Sequence, residues 1–386
     1  MNSIKQKNRF ISLKKERIWE RGEFKGGYKM ETKIADRDSG KTKTIFGRSV
    51  YLSDTESSFF NIEENTDIYF TSLHIMEEFS EDYGKRAKKL LENLSQAGKK
   101  VMVDISSRGL EELGYDSLEQ FAMETGVYMV RCDFGIKEEE MLKASKYCAL
   151  AVNASTLDYR FAAKLREAGA EVWAVHNFYP RPETGLDEEY FLERNRCLKE
   201  LGIKTAAFIT GDVKKRGPLK EGLPTLESHR NLPPYLQYLQ MTEMYQMDMI
   251  LVGDPGLSEE QRKLIERKKQ EGIISVPADL NEKYQHLYGK VWTIREDSPK
   301  WIARLNESRG YAAIGKKITA ENCVERVAGS ITIDNEKYLR YSGEIQVVRE
   351  GLKADERVNV IGRVQPEYQA ILGNLNRGKK MVLVQS

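Results

Sequence analysis

Four aspartates stand just past short apolar runs in this chain: Asp104, Asp133, Asp212 and Asp254. Two carboxyl groups on either side of a pocket can break a glycosidic bond, one protonating the leaving oxygen and one acting as nucleophile or base. Asp133 and Asp212 are the candidate pair, because they follow the fourth and seventh runs, which a closed eight-stranded barrel sets on opposite sides of its mouth. Asp104 and Asp254 are the reserves. An aspartate in such a place also serves to cap a following helix or to pair with a nearby cation, here Arg131, Lys214 or Arg216. Further polar residues recur at run ends: Ser49 and Tyr51, Ser72 and His74, Asn153 and Ser155, His176 and Asn177, and Gly253. Of these, His74, Asn153, His176 and Asn177 carry side chains suited to orienting sugar hydroxyls. A histidine satisfied within the core is the competing reading for either His74 or His176.

Two places invite an anion. The loop TGDVKKRGPLKEGLPTLESHR (210–230) is stiffened by Pro218 and Pro224 and basic at its start, with Lys214, Lys215 and Arg216. Its Gly211 and Gly217, together with the turn from Gly253 to Ser258, follow the common phosphate site after the last two strands of a barrel. A solvated charge run is the plainer alternative. Arg181, held between Pro180 and Pro182 in HNFYPRPETG (176–185), has the planar fork that suits a carboxylate.

Other chemistries find less support. His74, His176, His229 and His286 show no metal-ligand spacing, and no metal or organic cofactor is expected. No lysine ends a strand-like run as a Schiff base would require. Neither the G-x-S-x-G elbow nor the G-x-G-x-x-G fingerprint occurs. Cys132, Cys148, Cys197 and Cys323 are scattered and read as free thiols of a reducing compartment.

The elements that must position these residues form a regular series. Apolar runs lie at 49–52, 67–73, 100–105, 127–132, 148–153, 171–175, 205–210 and 249–253, most of them separated by polar helix-forming stretches such as 84–98 and 160–169. Eight such units predict a (β/α)8 TIM-like barrel over residues 46–271. The stretch from Ser53 to Thr66 leaves little room for a full first helix. Ser258 reads as the N-cap of the last helix. From residue 272 to 386 the pattern changes to short alternating runs at 290–294, 329–333, 344–348, 357–362 and 381–385, which predict a separate antiparallel β domain. That domain is expected to close over the mouth or to form the contact of a homodimer.

Net charge is +2, yet residues 1–48 carry 14 Lys and Arg against six Asp and Glu. Both signs are interspersed there and no nucleic-acid motif appears, so a basic, solvated leader over residues 1–45 is expected rather than a nucleic-acid partner. No apolar run reaches the ~20 residues of a membrane span, and the first 30 residues lack the core of a signal peptide. A cytoplasmic location follows as the expectation.

At its motifs the chain resembles the 6-phospho-N-acetylmuramidase family. The resemblance rests on FTSLHI (70–75), Asp133 with Phe134 and Gly135, VNAST (152–156), HNFYPRPETGL (176–186), GDVKKRGPLKEGLPTLESHR (211–230) and VGDP (252–255), and runs from about residue 46 to the C-terminus. It implies a barrel followed by a cyclophilin-like β domain. It also implies cleavage of N-acetylmuramic acid 6-phosphate from N-acetylglucosamine, a phosphorylated disaccharide formed when bacteria import and recycle peptidoglycan fragments. Another phosphosugar barrel enzyme, an isomerase or a lyase, and a non-catalytic phosphosugar-binding protein remain open as alternatives. Whether the anomeric configuration would be retained or inverted turns on carboxyl separation, ~5 Å against ~6.5–9.5 Å.

Overall fold

The computed structural model describes residues 44–54, 62–73, 75, 80–132, 135–310 and 315–385. Eight parallel strands close on themselves in sequence order. They are β1 (Ile45–Ser49), β2 (Ile68–Ser72), β3 (Lys100–Ile105), β4 (Met129–Cys132), β5 (Ala149–Asn153), β6 (Val172–Val175), β7 (Lys204–Ile209) and β8 (Met249–Val252). Around them run α1 (Tyr83–Gln96), α2 (Ser107–Glu112), α3 (Leu118–Thr125), α4 (Glu138–Ala144), α5 (Tyr159–Glu167), α6 (Glu188–Glu200), α7 (Pro234–Glu243) and α8 (Glu259–Glu271). The expected first strand is displaced. It begins at Ile45, not Ser49, and the run from Tyr51 leaves the sheet into a 3-10 turn at Leu52–Asp54. Of the short first crossover, residues 55–61 lie outside the described residues.

Alternate strand residues face the barrel axis. Ile68, Phe70, Met102, Met129, Ala149, Ala151, Trp173, Val175, Ala206, Phe208, Met249 and Leu251 pack there as one buried cluster. Gly47 belongs to the same layer. A Cβ on it would come within 2.5 Å of Leu251 Cδ2 and 2.6 Å of the Ile68 carbonyl, so this strand must spend a glycine to let its neighbours fill the axis.

Ser258 caps α8, its hydroxyl accepting the Gln261 N–H, and Gly272 ends that helix in the left-handed region at φ 72°. A second sheet follows, formed by β9 (Ile274–Leu280), β10 (Val291–Thr293), β11 (Ile302–Arg304), β12 (Ser330–Asp334), β13 (Ile345–Val348), β14 (Val358–Val364) and β15 (Lys380–Val384). Its order is β10-β15-β9-β14-β12-β13-β11. The pairs are antiparallel except β9 with β15, so the sheet is mixed. A parallel pair needs a long connection, and here nearly the whole domain lies between its two strands.

The second sheet packs against the barrel's outer helices. In α7, Tyr235, Leu236, Gln237, Tyr238, Leu239 and Met241 are all buried, the mark of a helix covered all round. Tyr235 Oη accepts the Ser275 N–H at 2.8 Å, and Gln261 Nε2 donates to Tyr368 Oη at 2.6 Å. Lys268 and Lys379 meet on Glu243 at 2.6 and 2.7 Å. One apolar core runs from Phe46 and Ile209 through Leu236 to Ile331 and Leu383. No described helix is long and apolar enough to cross a membrane.

Candidate active site

At the C-terminal end of the barrel the inward alternation continues in polar residues. Two positions past the apolar layer come Ser49, Ser72, Asp104, Arg131, Asn153 and Asn177. Strand register sets Ser72 beside Asp104, and Asp104 beside Arg131. Their side chains are joined. Ser72 Oγ donates to Asp104 Oδ2 at 3.2 Å, Arg131 Nη1 pairs with Asp104 Oδ1 at 2.8 Å, and Arg131 Nη2 donates to Asn177 Oδ1. Asp104 is 1% exposed and Arg131 7%, so this ion pair sits in a low-dielectric layer just under the mouth.

The remaining candidates fall into distinct places. His74 and Asp133 lie outside the described residues. Asn153 ends β5 facing the axis, its side-chain oxygen accepting the Ser155 N–H at 2.9 Å. Arg181 is exposed on the rim loop. His176 turns the other way from Asn177. Its Nε2 lies 3.0 Å from Asn195 Oδ1 and its ring packs on Phe191, both on α6, and burial pushes its pKa down to about 4. It is a neutral core histidine and not a sugar ligand.

Asp212 is exposed, and its carboxylate accepts the Ser258 N–H at 2.8 Å at the start of α8. It thereby holds Ser258, the N-cap residue of α8, in place. Asp254 is fully buried and accepts three backbone N–H groups, from Gly211 at 2.9 Å, Arg216 at 3.0 Å and Leu223 at 3.1 Å. Desolvation raises its pKa while these donors oppose the rise. Of the backbone donors expected to cradle a phosphate, the Gly211 N–H is therefore taken by the chain's own carboxylate. Gly253 offers no donor either, since its N–H bonds the Ile209 carbonyl at 2.8 Å. Its role is steric: a Cβ there would stand 2.7 Å from the Leu223 carbonyl.

Lys214 frames the adjoining turn through backbone, its carbonyl accepting the Gly256 N–H at 3.0 Å. The Arg216 guanidinium lies 4.7 Å from the centre of the Tyr51 ring and 5.5 Å from that of Phe178. Tyr51 is buried, donates to the Gly253 carbonyl at 2.6 Å, and is raised to about 12 by desolvation with Arg216 opposing.

One element of the site has no counterpart among the expected residues. Arg230, 6% exposed, ties the loops after β6 and β7 together. Its fork grips Glu227 at 2.6 and 2.7 Å while its other donors reach the carbonyls of Tyr179, Arg181, Glu221 and Gly222. Glu227 in turn accepts the N–H groups of Glu183 at 2.9 Å and Gly185 at 2.8 Å, and its pKa falls to about 2, chiefly through Arg230. The E-x-x-R spacing of 227–230 signals the pair. Two of its carbonyl partners, Tyr179 and Arg181, lie about 50 residues back and leave no trace in spacing.

Among the described residues no group of three or more His, Cys, Asp or Glu is placed to hold a metal ion. The arrangement offers one ion-paired carboxylate at the floor of a polar mouth, amide side chains beside it, and a stacked guanidinium across from it. A concave mouth lined by such polar and charged groups is suited to a polar ligand.

Comparison with known proteins agrees with this reading. The N-terminal family of 6-phospho-N-acetylmuramidases matches residues 46–267, and the C-terminal family of the same enzymes matches residues 273–384. A conserved Enterococcus faecalis protein of unknown function is 34% identical, with a TM-score of 0.78 over 89% of this chain and 97% of that one. An uncharacterized B. cereus protein shares the fold at 23% identity and a TM-score of 0.70, over 89% of this chain and 100% of that one. No curated protein matches. By the match of both its halves, this chain belongs to the 6-phospho-N-acetylmuramidase family, whose named activity is that of a glycosidase.

Proposed function

We propose that this chain hydrolyses the bond between N-acetylmuramic acid 6-phosphate and N-acetylglucosamine, releasing the phosphorylated sugar. The observation that carries the reading is the family match across both the barrel and the second sheet. The mouth supports it with Asp104 set in the Ser72–Asp104–Arg131–Asn177 network.

With Asp212 engaged by the Ser258 N–H at the start of α8, we assign Asp104 the nucleophile or base role and keep Asp133 as the general acid. Asn153 and Asn177 orient the sugar. Arg181, Lys214 and Arg216 meet its anionic groups, which on this substrate are a phosphate and a lactyl carboxylate. Such a substrate places the enzyme in the cytoplasmic recycling of imported cell-wall fragments. An Asp104→Asn variant tests the assignment. It should bind N-acetylmuramic acid 6-phosphate in a thermal-shift assay while losing on the order of 100-fold or more in turnover. Full turnover by that variant would remove Asp104 from the chemistry.

A further inference from the structure

We infer that the Arg216 guanidinium, seated on Tyr51 and Phe178, is the phosphate-recognition group of this enzyme. The inference rests on the phosphosugar reading above and fixes where in the mouth the phosphate goes.

The first argument is a census of donors. Backbone N–H groups at the ends of β7 and β8 are the usual phosphate ligands of a barrel. Here many of them are already engaged. Gly211, Arg216 and Leu223 donate to Asp254; Gly253 donates to Ile209; Asp212 to the Gly256 carbonyl; Gly256 to the Lys214 carbonyl; and Ser258 to Asp212. A phosphate entering that nest would have to displace a buried carboxylate of its own sign.

The second argument is the state of the guanidinium. Asp254 pins the Arg216 backbone, and two aromatic faces hold the planar group. Those faces are themselves fixed. Tyr51 is bonded to the Gly253 carbonyl, and Phe178 packs edge-on against Phe70 and Phe208, the rings that plug the barrel. Arg216 Nη1 is buried and has no hydrogen-bond partner among the described residues. A buried donor atom left without an acceptor on a half-buried guanidinium is open to a ligand that supplies one. A phosphate monoester carries close to two negative charges and presents oxygens that a guanidinium fork matches in pairs.

Position supports the assignment. Tyr51, Arg216 and Gly253 follow β1, β7 and β8, whereas Asp104 and Arg131 lie on β3 and β4. In the closed order of the barrel these are opposite sides of the mouth. A sugar whose phosphate rests on Arg216 would reach across the mouth toward Asp104. Arg181, exposed on the β6 loop, is left for the lactyl carboxylate.

The test compares wild type with Arg216→Ala and Arg216→Lys on the phosphorylated and unphosphorylated muramyl disaccharides, with kcat/KM taken from products by mass spectrometry. Thermal shifts with N-acetylmuramic acid 6-phosphate and with N-acetylmuramic acid give a readout independent of turnover. Circular dichroism checks that each variant is folded. The expected result is a wild-type preference for the phosphorylated forms that falls on the order of 100-fold in R216A, the loss of a paired charged interaction. R216K should recover only part of it, since a lysine keeps the charge and loses the fork. If wild type shows the preference and R216A keeps it, the phosphate is held elsewhere and the inference is wrong. If wild type shows none in either assay, the phosphosugar reading itself fails.

Discussion

Replacing Arg230 with glutamine should loosen two loops of the mouth at once. The native side chain makes two charged bonds to Glu227 and reaches four carbonyls, two on the loop after β6 and two on the loop after β7. Removing one partner of a buried ion pair costs about 3–5 kcal/mol. Glu227 keeps 31% of its side chain exposed and retains the Glu183 and Gly185 N–H groups, so the low end, about 3 kcal/mol, is expected here. Equilibrium urea unfolding measures this directly. The sign of its pH dependence follows from Glu227, whose pKa is held near 2 against an ordinary 4.5. A carboxylate so depressed stabilises the fold fully above 4.5 and ceases to as pH falls through about 2. The gap between wild type and R230Q should therefore narrow between pH 4.5 and 2. Arg230→Lys should rescue little, because four carbonyls and a carboxylate in fixed directions need the guanidinium fork. A destabilisation below about 1 kcal/mol, the size of one ordinary neutral hydrogen bond, would refute the claim that this residue clamps the loops.

Other perturbations separate roles that look alike in sequence. Asp212→Asn keeps an oxygen to accept the Ser258 N–H, so it should change stability little and leave turnover within a few-fold of wild type; a drop of 100-fold would restore Asp212 to the chemistry. Asp104→Asn should lose turnover while still binding the sugar phosphate, and it should also lower stability because it leaves the buried Arg131 without its ion-pair partner. His176 and His229 are both buried with pKa values near 4 against an ordinary 6.5, so each favours the folded state fully above 6.5 and withdraws that support as pH falls toward 4. By pH 4 each should have cost about 3 kcal/mol, and His176→Gln should flatten the acid limb of stability measured by urea unfolding. An acid limb unchanged in that variant would contradict the burial argument.

The barrel was legible because strands covered on both faces read as nearly continuous apolar runs, and β3 at Lys100–Ile105 and β8 at Met249–Val252 stand out for that reason. β1 was displaced because its register carries Gly47 on the axis and Arg48 bonded to Glu63, neither of which looks like a buried strand. β9 was hidden by Pro277, which normally argues against a central strand. The proline falls at the changeover where β9 stops pairing with β15 and begins pairing with β14. β11, Ile302–Arg304, is too short to show a period.

At the site, polar strand ends marked the mouth, but adjacent residues point in opposite directions. Period two sends Asn177 toward the axis and His176 into α6, and it separates Gly253 from Asp254 in the same way. Residue type at a strand end was a weaker guide than parity counted from the apolar layer. Asp254 in its nest and the reach of Arg230 depend on loops folding back from more than 30 and up to about 50 positions away, which local pattern does not encode.

The most direct test of the account is incubation of the purified protein with the phosphorylated and unphosphorylated muramyl disaccharides, with products identified by mass spectrometry. The account predicts N-acetylmuramic acid 6-phosphate and N-acetylglucosamine from the phosphorylated substrate and little from the other. Cleavage of neither, or of both at equal rates, would contradict it.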